Sequence, residues 1–200
     1  LRYPVQSLIR FRLLVDKSFR KIEWKNRVAR QIAAGPQERM ISMYSVNMPT
    51  MDSVARFKAA MDSDKGALGP FMIGTDPAFV EAAGYAGYDF VLLDMEHGTT
   101  TFQTLPHLIR AANVAGVCPV VRVPRGTDIW IDQALDVGAG AIMIPQIDTA
   151  EQARAAVSAA KFSPVGTRGT CRFVRSAGFG AVPGSEYLSL IHISEPTRPY

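Results

Sequence analysis

From Gly66 to Phe162 the sequence alternates four times between a short apolar run and a segment of helical periodicity. "GALGPFMIGT" reads as a first strand. "DPAFVEAAGYAG" reads as a helix with Asp76 at the N-cap, Pro77 at the first helical position and a glycine at its end. "YDFVLLD" is a second strand, followed by "FQTLPHLIRAANVAG", where Leu105, Leu108, Ile109 and Ala112 fall at i, i+3, i+4 and i+7. "CPVVRVP" and "DIWIDQALDVGAG" make a third pair, "AIMIPQI" and "DTAEQARAAVSAAKF" a fourth. The spacing predicts that Asp148 and Glu151 open the last helix as a capping box. Strands this apolar are covered on both faces, and the helices between them make the sheet parallel.

Doubly wound sheets and (βα)8 barrels both begin this way. A dinucleotide fold places a glycine-rich turn after its first strand. Here that turn is "GTDPAF", with neither GxGxxG nor a Walker pattern. The expected fold is therefore an α/β TIM barrel. Four units are half of one, since a complete barrel takes roughly 250 residues, so the expectation is a barrel truncated to about its first four βα units.

Charge divides the chain. Residues 1–50 hold 10 Lys/Arg against 3 Asp/Glu, whereas residues 51–200 hold 12 against 15. The basic character sits in the first quarter, and the remainder carries no electrostatic footprint for nucleic acid. The first 50 residues read either as an Arg-rich, acid-poor targeting peptide or as upstream sequence translated in frame. The second reading is favoured, with the start at Met40, Met48 or Met51, because everything patterned follows Met51. No apolar run approaches the roughly 18 residues that span a bilayer. Cys118 and Cys171 are too few for a disulfide framework, and no Cys/His spacing resembles a zinc site. A cytoplasmic location is the expectation.

In a barrel the chemistry lies at the carboxyl ends of the strands. Asp94, Glu96 and His97 follow strand two, and Arg122 ends strand three. An Asp bonded to an imidazole fixes its tautomer and raises its basicity, which makes a general base; the same pair also suits a capped, satisfied turn. An arginine among strand residues is costly unless it meets an anion or an ion-pair partner such as Asp94 or Glu96. His107 falls on the outer helix and reads as solvated, and Cys118 reads as core. Gly166, Arg168 and Gly169 lie in a loop that suits either an anion contact or a plain surface turn. Lysine is informative by its absence. Imine-forming aldolases need a desolvated lysine inside the barrel, and after Lys65 the only lysine is Lys161, at the end of the fourth helix.

"YDFVLLDMEHG", "PVVRVP", "ALDVGAGAIMIPQIDTAEQARAAV" and "FSPVGTRG" together resemble the HpcH/HpaI aldolases, metal-dependent pyruvate aldolases of the phosphoenolpyruvate/pyruvate barrel superfamily. The resemblance runs from about Met51, where "MDSVARFKAAM" looks like the family's leading helix, to about Tyr187. It implies reversible cleavage of a 4-hydroxy-2-oxo acid to pyruvate, or a related 2-oxo acid, and an aldehyde. It implies a divalent magnesium, manganese or cobalt ion that stabilises the enolate. His97 oriented by Asp94 would match the family's proton-moving dyad, Arg122 its enolate-stabilising arginine, and Glu96 a supporting acid. The family's two metal-binding acids follow strands five and six, so no metal ligand is expected among the residues present. The expectation is accordingly an acid–base half-site, inactive as written. The resemblance further implies a homo-oligomer, often a hexamer, with small-molecule substrates and neither membrane nor nucleic-acid partners. An acyl-CoA lyase of the citrate or malyl-CoA type and a non-catalytic half-barrel are the competing readings. From Leu188 to Arg198 the residues look like the translation of a sequencing-library adapter, so residues 188–200, His192 among them, are expected to have no role.

Overall fold

The computed structural model describes residues 49–189. The expectations for the basic extension up to residue 48, and for the tail from residue 190 with its His192, lie outside the described residues. The described chain runs α1 (Pro49–Met61), β1 (Phe71–Met72), α2 (Pro77–Tyr85), β2 (Phe90–Asp94), α3 (Leu105–Ala115), β3 (Cys118–Arg122), α4 (Asp128–Asp136), β4 (Ala141–Met143) and α5 (Ala150–Ala160). A 3₁₀ helix (Arg175–Gly180) and α6 (Gly184–Ser189) follow.

The four strands pair in parallel in the order β1-β2-β3-β4. That order separates the two candidate architectures, because a doubly wound sheet reverses its strand order and puts helices on both sides. Here Val91, Leu93, Val121 and Val123 face the apolar stripes of α2, α3 and α4, with Val80, Leu105, Leu108, Ile109 and Ala134 all fully or nearly fully buried. The other face, with Phe90, Leu92, Cys118 and Val120, meets α1 through Val54, Phe57, Ala60 and Met61. The crossover helices thus share one side, as in a barrel wall, and the leading helix covers the inner side.

Local chemistry explains the elements. Asp76 caps α2 by accepting the Ala78 N–H at 2.9 Å, with Pro77 behind it as expected. The predicted positions of α3 are its buried stripe. At Gly84 a Cβ would lie 2.5 Å from that of Ala115, so glycine sets how closely α2 and α3 approach. The cap of α5 is corrected. Thr149, not Asp148, is the N-cap, and it exchanges bonds with Gln152 rather than Glu151. Thr and Gln satisfy the same reciprocal geometry one residue later, and Asp148 donates its own N–H to Gln152 Oε1 at 2.7 Å.

Candidate active site

Register decides which side chains meet. Asp94 is paired with Arg122, and Arg122 with Met143, at the carboxyl ends of β2, β3 and β4. By alternation Asp94 and Arg122 share the inner face with Leu92 and Val120. Arg122 Nε and a terminal nitrogen donate to the two oxygens of Asp94 at 2.9 and 2.7 Å, a bidentate pair. The other terminal nitrogen lies 3.2 Å from Glu96 Oε2. The guanidinium also sits 5.0 Å from the centre of the Phe71 ring.

Beyond Asp94 the chain turns sharply. Asp94 Oδ1 accepts the backbone N–H of Glu96 at 2.9 Å and of His97 at 3.3 Å. Gly98 completes the turn, because a Cβ there would lie 2.2 Å from the Asp94 carbonyl oxygen. The result is a rim that grades from the interior outward: side-chain exposure is 2% for Asp94, 11% for Glu96, 19% for Arg122 and 73% for His97.

Asp94 therefore meets His97 through the backbone, not through the ring. The guanidinium and two backbone donors occupy its oxygens, and the carboxylate nearest the imidazole is Glu96, 3.7 Å from Nε2. The ion-pair account of Arg122 is what the structure contains, and it includes both acids. Burial alone would push the Asp94 carboxyl upward, but the Arg122 hydrogen bond, the two backbone donors and the guanidinium charge outweigh it and hold it below its ordinary value. The hydrogen bond to Asp94 likewise raises Arg122.

Two partners were not among the sequence candidates. Phe71 read only as strand, and its ring meets the guanidinium because β1 lies beside β2 in register. Gln146, just past β4, donates to Glu96 Oε1 at 3.3 Å. A polar residue within the apolar run "AIMIPQI" was the available clue, as Arg122 was within "CPVVRVP". The remaining candidates stand apart from the rim. His107 is exposed on α3, within 3.5 Å of Arg110. Cys118 is buried, which pushes its thiol up to about 12. Arg168 does not sit on a surface turn: it is 6% exposed, bonded to the Asp136 carboxylate at 2.6 Å and set over the Phe162 ring.

The divalent cation implied by the resemblance finds no ligand set here. Among the described residues no three His, Cys, Asp or Glu converge, and the Asp94 and Glu96 carboxylates are both turned to Arg122. The rim thus brings together one guanidinium, two carboxylates and an exposed imidazole. No described helix is long and apolar enough to cross a membrane.

Singly wound parallel βα units with charged side chains at the inner carboxyl rim are the layout of a βα-barrel enzyme. Residues 68–190 match the HpcH/HpaI aldolase/citrate lyase family, and the chain belongs to it. It is 41% identical over 117 residues to the 2-dehydro-3,6-dideoxy-6-sulfogluconate aldolase of Pseudomonas putida, covering 58% of this chain and 46% of that protein. It is 38% identical over 148 residues to the 2-keto-3-deoxy-L-rhamnonate aldolase of Klebsiella pneumoniae, covering 70% and 55%. The crystal structure of a family protein from Burkholderia cenocepacia superposes with a TM-score of 0.56 at 35% identity, covering 60% of this chain and 49% of that one. The chain spans about half the length of the relatives it matches.

Proposed function

We propose that this chain supplies the acid–base and anion-holding part of a carbon–carbon lyase. The reaction is reversible cleavage of a 4-hydroxy-2-oxo acid to pyruvate, or a related 2-oxo acid, and an aldehyde. The observation that carries this reading is Arg122, fixed at the inner rim by a bidentate bond to Asp94, beside Glu96 and the exposed His97. Both relatives are named for 2-oxo sugar acids, and acids of that class are the proposed substrates.

In the cleavage direction a base removes the C4 hydroxyl proton and the C3–C4 bond breaks. C4 leaves as the aldehyde, the C3–C4 pair becomes a C2=C3 double bond with the negative charge on the C2 oxygen, and a proton added at C3 gives the 2-oxo acid. His97 moves the hydroxyl proton, since its ring is the accessible titratable group on the rim. Arg122 holds the developing negative charge, and a guanidinium already oriented by Asp94 needs little reorganisation to do so. A divalent cation would add Lewis-acid stabilisation of the enolate, with ligands from outside the described residues.

A graft tests this. Residues 52–187 are placed in the Klebsiella relative in exchange for its corresponding segment. Pyruvate release from 2-keto-3-deoxy-L-rhamnonate is expected, and His97→Ala should reduce it by about a hundredfold or more. A folded graft releasing no pyruvate overturns the proposal. Cleavage of citryl- or malyl-CoA instead would establish the thioester reading that the family's citrate lyase branch keeps open. The homo-oligomer belongs to the same proposal, and sedimentation of the full chain tests it.

A further inference from the structure

Glu96 is the meeting point of the rim. Its Oε2 faces Arg122 at 3.2 Å, while its Oε1 accepts the Gln146 amide at 3.3 Å and stands 3.7 Å from His97 Nε2. Gln146 lies in the loop after β4 and reaches Glu96 in the turn after β2, across the intervening β3. Its backbone is unusual too. At φ +57° it occupies the left-handed region, where a residue with a long side chain is uncommon and persists only when its surroundings hold it.

We infer that Gln146 is a positioning residue: its amide holds Glu96 Oε1 and keeps that carboxylate from closing on the His97 imidazole. The groups facing Glu96 are Arg122, Gln146 and His97. With the amide removed, Oε1 retains His97 as its remaining neighbour, and a small rotation of Glu96 turns 3.7 Å into a bonded pair. Such a pair occupies Nε2, a ring nitrogen able to take the substrate proton. The catalytic meaning rests on the lyase reading above, whereas the positioning itself does not.

Two variants of the full 200-residue chain separate the amide from the backbone. Gln146→Ala and Gln146→Gly both delete the amide, but only glycine is at ease at positive φ. The side-chain NMR signals of His97 at one fixed pH are expected to shift equally in the two, with His107 as an unmoved reference. The thermal midpoints should diverge, with glycine melting above alanine. In the graft both variants should lower kcat by about ten- to a hundredfold, the scale of a misplaced catalytic group, and leave KM unchanged. His97 signals unmoved in both variants, or kcat that follows the melting temperature, overturn the inference. An inactive graft with Gln146 intact refutes the lyase reading instead, and the His97 signals still decide the positioning.

Discussion

The Asp94 carboxylate gives up water for four donors: two from Arg122 and the backbone N–H groups of Glu96 and His97. A buried acid so supplied favours its charged form, and removing it leaves Arg122 with Glu96 as its acidic partner. Asp94→Ala should cost about 3 kcal/mol, the low end for breaking a buried ion pair, measured by urea unfolding at pH 7. Because the folded-state carboxyl is held below its ordinary 3.8, its contribution is complete above that value. It is lost as pH falls from there through the lower folded value. The stability gap between wild type and Asp94→Asn should therefore be full at pH 7 and close below pH 3.8. Arg122→Lys should be severe for turnover in the graft, since an ammonium cannot hold Asp94 bidentately and present a donor to an enolate. Full activity with only a lowered melting temperature would reduce Arg122 to a structural ion-pair partner.

Helices in this fold are set by their ends as much as by their stripes. The α5 cap is a reciprocal Thr149–Gln152 pair, so Thr149→Ala should destabilise the chain by about 1 kcal/mol. Asp148→Ala should cost much less, because Asp148 contributes a backbone N–H that alanine also has. Equal costs would return the cap to Asp148. On α4, Asp132 has a buried Oδ1 without a hydrogen-bond partner. Burial raises its carboxyl, the Arg168 charge opposes that, and Asp136 and Asp128 add to it. A raised carboxyl favours the fold when protonated, and that favour is lost as pH rises through the folded value. Asp132→Asn should therefore stabilise the chain at pH 7 by about 1 kcal/mol, an advantage that disappears below pH 3.8. Thermal unfolding across that range reads both the sign and the window.

At the scale of the whole molecule, the sheet divides its residues between two sides that are closed by different helices. Leu92 is fully buried on the side that α1 covers. Leu92→Ala should cost about 3 kcal/mol and speed amide exchange in α1 more than in α3. Uniform exchange would show that α1 does not depend on that face. The four βα units, the Asp76–Pro77 start of α2 and the α3 stripe were legible in the sequence, because periodicity and capping act over a few neighbouring residues. So was the family, since its motifs follow one another in order. The sequence also brought Asp94, Glu96, His97 and Arg122 forward as candidates, each being a charged residue where an apolar strand ends. It left open whether Arg122 meets an anion or an acid, and whether Asp94 caps its own turn or bonds the His97 ring, as the resemblance implied. Those points depend on which strands lie side by side and in what register. Register joins Asp94 to Arg122 across 28 residues, sets Phe71 under the guanidinium and lets Gln146 reach Glu96 over β3. No local pattern encodes such pairings, because the groups become neighbours only once the strands have assembled in order.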